Sequence, residues 1–189
     1  MAEERKQPLT NSTASSSTQT GRAVALARLL HQECIQLLQL FKKRETSLSD
    51  QTPDGVRMVS LSSETTKSSV EEQVRLLHSA LRQCLGMLHR VIQKEEEELG
   101  QQGDGYETLK ACVQARLENL LCTTKDLLKS KDLTLEVVQD QQCNEEVDSM
   151  GGSFGLKMWT YRVLLELIHW ADHAAKTLHV LHTEREGAK

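Results

Sequence analysis

Apolar positions along this chain recur at alternating spacings of three and four, the pattern that lines one face of a helix. Val24, Ala27, Leu30, Cys34, Leu37, Leu38 and Phe41 form the first stripe and predict a helix over residues 21–45, with Lys42, Lys43 and Arg44 suiting the negative end of its dipole. A second stripe, Val70, Val74, Leu77, Leu81, Leu85, Leu88 and Ile92, repeats nearly every seven residues and predicts a helix over 69–99. Ser69 and Glu72 form a capping box at its start. After Gly103-Asp104-Gly105, Asp104 can cap and Glu107 can reach back, opening a third helix over 105–131 whose stripe is Leu109, Val113, Leu117, Leu120, Leu121, Leu127 and Leu128. A fourth, over 153–184, follows Gly151-Gly152-Ser153 and carries Leu156, Trp159, Val163, Leu167, Trp170, Ala174, Leu178 and Leu181.

Such helices of about 25 to 30 residues would be about 37 to 45 Å long, beyond the usual globular length. The links between them decide their directions. About 24 residues between the first and second, and about 20 between the third and fourth, can stretch some 65 to 80 Å and return along the bundle, so those pairs can run parallel. The short link over 100–105 cannot, so the second and third must be antiparallel neighbours. The predicted fold is all-α: a four-helix bundle with up-up-down-down topology and two long crossover loops, the arrangement of growth hormone and the long-chain helical cytokines.

Composition narrows the picture. The chain has 189 residues, 38% hydrophobic and 26% charged, with a net charge of −4, which suits one globular domain and not a disordered chain or a basic nucleic-acid binder. Both prolines precede residue 54 and leucine dominates the apolar set, which favours helices and excludes a large β-sandwich. Residues 1–20 are rich in Ser, Thr and Gln, so a mobile tail is expected there, with a second short tail over 186–189 and the bundle over 21–185. No apolar run is long enough to cross a bilayer, and no secretory signal peptide is recognisable, so the expectation is a cytosolic start with no membrane insertion. On that expectation Asn11-Ser12-Thr13, formally a glycosylation sequon, is not modified. Five cysteines form an odd set without a close zinc-like pair, and most are expected to be buried thiols.

Candidate chemistry is sparse. Glu166-x-x-His169 matches half of a di-metal carboxylate site, but the second copy is missing and the stripe leaves Glu166 and His169 at its flank. His169 and His173, spaced by four, can grip a transition metal; with His179 and His182 they are read as a solvated helix flank. No nucleophile elbow, P-loop or dinucleotide glycine pattern is present, so neither enzyme activity, metal nor cofactor is expected. Surface recognition is then the default for such a bundle. Charge is uneven, with −8 over residues 91–150. The Glu95 to Glu98 run is read as a solvated face, with a steering patch for a basic partner as the sharper alternative.

Of six aromatic residues, Phe154, Trp159, Tyr161 and Trp170 crowd into one stretch. Trp159 and Trp170 lie on the stripe and are expected in the core. Phe154 stands ahead of it, where it either anchors a partner or folds back as a staple onto the bundle.

The segment Gly151-Gly152-Ser153-Phe154-Gly155-Leu156-Lys157-Met158-Trp159, followed by Val163-Leu164-x-Glu166-Leu167 and Trp170, resembles the interleukin-6-type long-chain cytokines. Leu26-Ala27-Arg28, Asp54-Gly55 and the loop lengths extend the resemblance over most of residues 21–185. It implies a non-enzymatic ligand, released by a non-classical route, that assembles a specificity-determining α-receptor, the shared signalling receptor of the family and the leukemia inhibitory factor receptor, with kinase and transcription-activator signalling downstream. In that family a Phe-x-x-Lys motif opening the last helix contacts the leukemia inhibitory factor receptor, which here falls on Phe154 and Lys157. The first and last helices serve the α-receptor, and Arg28 and His173 match basic contact positions; the first and third serve the shared receptor. Thr177 replaces an acidic residue, and Glu64 stands about where the family's crossover has a tryptophan. The rival expectation, from a different class, is an intracellular helical adaptor that binds partner helices.

Overall fold

The structure, a computed structural model, describes residues 11–48, 57–59, 69–100, 103–128 and 152–187. Among these residues it is all-helical with no strand: α1 Asn11–Arg44, a 3₁₀ turn Thr46–Leu48, α2 Val70–Leu99, α3 Gly105–Leu127 and α4 Gly152–Gly187. The apolar stripes meet in one core. Nearly every predicted stripe residue is buried, and Trp159, Leu37, Leu77, Leu88, Leu117 and Leu164 are among the largest side chains fully enclosed. α1 and α2 each pack against both α3 and α4.

Both predicted N-caps form. Ser69 Oγ accepts from the Glu72 backbone N–H at 3.3 Å, and Asp104 Oδ1 accepts from that of Glu107 at 3.0 Å. Gly100 ends α2 at φ 67°, a left-handed conformation that a Cβ would strain.

Three boundaries differ from expectation. α1 begins at Asn11, so the predicted tail over 1–20 is corrected for residues 11–20. Polarity suggested a tail because it withholds apolar burial, but Thr20 is fully buried through its hydroxyl, 2.8 Å from His182 Nδ1 on α4. Gly21 permits the approach: a Cβ there would already stand 3.4 Å from the His182 ring. α3 stops at Leu127, short of 131, and Leu128 closes it as a turn with its N–H shared between Thr124 and Lys125 carbonyls. α4 runs on to Gly187. Both crossovers lie largely outside the described residues, and with them Asp54, Gly55, Glu64, Cys143 and Gly151.

Two polar groups sit where the stripes pass. His78 of α2 faces Thr124 of α3 at 2.8 Å; the Thr124 hydroxyl donates to the Leu121 carbonyl, so it accepts from His78, whose Nδ1 carries the proton. Glu95, expected on a solvated acidic face, is instead buried at 5% exposure and pairs with the buried Lys110 of α3 at 2.6 Å, while Glu96 to Glu98 remain exposed.

Candidate functional site

The end of the bundle where α4 begins carries two of the four predicted recognition residues. Gly152 takes φ +91°, and the following turn sets Phe154 outward while Leu156 and Trp159 enter the core. Phe154 is 57% exposed, the most exposed large apolar side chain among the described residues, so it does not fold back as a staple. One turn on, the Lys157 ammonium lies 2.8 Å from the Glu45 carboxylate. Glu45 is held in turn. Its N–H donates to the Phe41 carbonyl at 2.9 Å, and its own carbonyl accepts from Leu48 at 3.0 Å, which anchors the 3₁₀ turn through the fully buried Leu48.

From Glu45 a polar chain crosses the whole end of the bundle. Arg44 lies 3.9 Å from Glu45 and stacks over the Tyr106 ring at 5.1 Å. The Tyr106 hydroxyl donates to Glu95 Oε1 at 2.9 Å, and Lys110 donates to Glu95 Oε2 at 2.6 Å. Burial, and next the Glu95 charge, push the Tyr106 phenol above its ordinary pKa, so it stays a donor. Phe41 packs against Tyr106 and, edge-on, against Tyr161, whose ring Lys42 covers. Every helix contributes one or more members. The exposed Phe154 stands one turn before Lys157, where this network of charge-assisted bonds begins, and a small pocket of about 10 Å³ lies between Phe41, Glu45, Leu156 and Lys157.

A wider groove of about 670 Å³ opens between α1 and α3, lined by Gln36, Gln39, Leu40, Lys42, Lys43 and Leu109. Its walls are amphipathic, and Lys42 and Lys43 give its rim positive charge.

Arg28 and His173 are both exposed, on α1 and α4. Thr20 meets His182 and Glu45 meets Lys157, a pairing that sets Arg28 level with His173. Phe154 and Lys157 thus lie one turn apart, Arg28 and His173 lie at one level of the bundle, and the two sets are separated by about 24 Å along α4, at about 1.5 Å per residue. Between them lies a clamp. Glu166, expected at a solvated flank, is buried at 6% exposure: its Oε1 accepts from the Met58 backbone N–H at 3.1 Å, its Oε2 accepts from Trp170 Nε1 at 3.0 Å, and Arg57 stands 3.5 Å away. The segment 57–59, with Val59 buried, covers that flank and removes it from water. His169 and His173 lie against Trp170 edge-on at 5.1 and 5.3 Å, their own rings nearly parallel at 6.3 Å. Burial against that surface holds both imidazoles below their ordinary pKa, with the Arg57 charge next for His169.

Sequence reasoning missed Glu45, Glu95, Lys110 and the role of Glu166. A signal existed for three of them. Glu95 follows Leu88 and Val91 at stripe spacing, Lys110 precedes Val113 and Leu117 on the facing stripe, and Glu166 sits one turn before Trp170. Charges of opposite sign on facing stripes mark a buried pair. Among the described residues no three His, Cys, Asp or Glu side chains gather to hold a metal, and no helix is long and apolar enough to cross a membrane. No protein-family model matches the chain, and no curated protein matches it either.

Proposed function

We propose that this chain is a neurotrophic cytokine resembling ciliary neurotrophic factor. It assembles ciliary neurotrophic factor receptor α, the shared interleukin-6-family signalling receptor and the leukemia inhibitory factor receptor at the cell surface, and so supports neuronal survival and differentiation. It acts by binding, without a catalytic step. The fold it requires is up-up-down-down with two long crossovers. Support comes from contacts joining the start of α1 to the end of α4 (Thr20 with His182) and the end of α1 to the start of α4 (Glu45 with Lys157). Glu33 with Arg116 and Arg44 with Tyr106 relate α1 to α3, and His78 with Thr124 and Glu95 with Lys110 relate α2 to α3, in the same antiparallel sense.

The observation that carries the reading is Phe154, an aromatic ring left 57% exposed on a rigid floor. Hot spots are commonly large side chains set in such surroundings. Lys157 beside it presents an ammonium already positioned by Glu45. The Leu40 and Leu109 groove between α1 and α3 supports the shared receptor's place, and Arg28 level with His173 supports the α-receptor's. Cys34, Cys84, Cys112 and Cys122 are all free thiols, which suits folding in a reducing interior and release by a non-classical route.

The test is a Phe154→Ala, Lys157→Ala double variant measured for binding to each receptor ectodomain. Helical content should be unchanged and leukemia inhibitory factor receptor binding should fall by at least about tenfold, the loss of one hot spot, with α-receptor binding retained. A folded double variant that activates receptors at full strength overturns the site. A chain that captures only cytosolic proteins favours the intracellular adaptor instead.

A further inference from the structure

His169 and His173 stand one turn apart on α4, both on the accessible side of Trp170. Their ring planes lie within 11° of parallel with centroids 6.3 Å apart, so the rings are neighbours, and side-chain rotation is what brings their in-plane nitrogens onto a common ion. Trp170 backs both rings, and it is itself fixed by its bond to the buried Glu166 carboxylate, so the platform under the pair does not drift. Among the described residues no hydrogen bond or ion pair occupies either imidazole. The neighbouring Asp172 is committed to Lys176 at 2.7 Å.

We propose that His169 and His173 chelate a divalent transition-metal ion of the imidazole-binding class, such as nickel, copper or zinc, on the face of α4 level with Arg28. Because no third side chain of ligating type is gathered there, water or an added ligand completes the coordination shell. Neutral imidazoles are the binding form, and burial against Trp170 disfavours the charged form of both rings. Spacing alone was compatible with a solvated flank. The shared Trp170 platform, with neither ring held by a hydrogen bond or ion pair among the described residues, turns that spacing into a two-point site, in which the second ligand binds at high effective concentration.

The test titrates the full chain with nickel(II) chloride at neutral pH. Imidazole C–H resonances of His169 and His173 should broaden together at one midpoint, with Trp170 fluorescence quenched in parallel. His169→Ala and His173→Ala should each weaken binding at least about tenfold, the gain expected of a second tethered ligand. If His31, His89 and His179 broaden at the same nickel concentration, or if either single variant leaves the midpoint unchanged, there is no chelate and the proposal fails. The wild-type resonances decide this even if a variant misfolds.

Discussion

Two regions of α4 carry the proposed recognition residues, and they are built on opposite principles. At its first turns Phe154 projects from a floor of fixed charges, running from Lys157 through Glu45, Arg44, Tyr106 and Glu95 to Lys110 across all the helices. More than three turns beyond, His169 and His173 rest on a single tryptophan whose position depends on the carboxylate of Glu166 and the segment 57–59. The first region contains no histidine, and its geometry is set by the ion pairs of Glu45 with Lys157 and of Glu95 with Lys110. The second holds titratable rings at its surface. The difference teaches that one helix can carry two surfaces of unlike chemistry, one held by ion pairs and one by two imidazoles on an indole, separated by a buried clamp.

The largest effect should come from breaking the floor. Lys110→Met leaves the Glu95 carboxylate buried without its cation and should cost about 3–5 kcal/mol in urea unfolding, most of it recovered in the Glu95→Leu, Lys110→Met double variant. A loss below about 1 kcal/mol, the range of exposed pairs, would mean the floor is not held by this bond. Next comes the clamp. Trp170→Phe removes a donor from buried Glu166 and should cost about 1–3 kcal/mol while leaving the resonances of Phe154 unmoved.

Acid should then separate the regions. His169, His173 and the buried His78 all have pKa values lowered in the folded chain, burial being the first cause in each. The unfolded chain therefore binds more protons, and stability falls as pH drops below the ordinary histidine value of about 6.5. Denaturant midpoints at pH 7.5 and 5.5 should show that fall, and replacing both His169 and His173 with Gln should flatten part of it, while replacing Phe154 should leave the slope alone. The smallest effect on stability should be that of Phe154→Ala, within about 0.5 kcal/mol for so exposed a ring. The same variant is expected to show a large loss in receptor binding, and that contrast of stability with recognition is the sharpest form of the comparison.

Much of this was legible in the chain itself. Stripe spacing located the core, and Ser69 and Asp104 marked two helix starts because capping is local chemistry between residues three apart. The outward Phe154 was open to two readings until its neighbours were known. What escaped was polar burial. Thr20 is buried by a partner 162 positions away that no local pattern announces, and while Trp170 one turn on marks Glu166, the Met58 amide that also binds it lies 108 positions away. The Glu45 bond to Lys157 is equally non-local, joining the end of one helix to the beginning of another.

That separation also bears on the order of assembly. Tyr106 and Glu95 are 11 positions apart, whereas Thr20 and His182 are 162 apart, so α2 and α3 close a short loop and α1 and α4 a very long one. Loop closure over greater lengths costs more entropy and slows folding. Contacts between α1 and α4 should therefore form late, and both candidate recognition surfaces depend on those contacts. A chain arrested partway to its native state would hold a helical hairpin yet offer neither surface, so recognition of the proposed kind would double as a check that folding has finished.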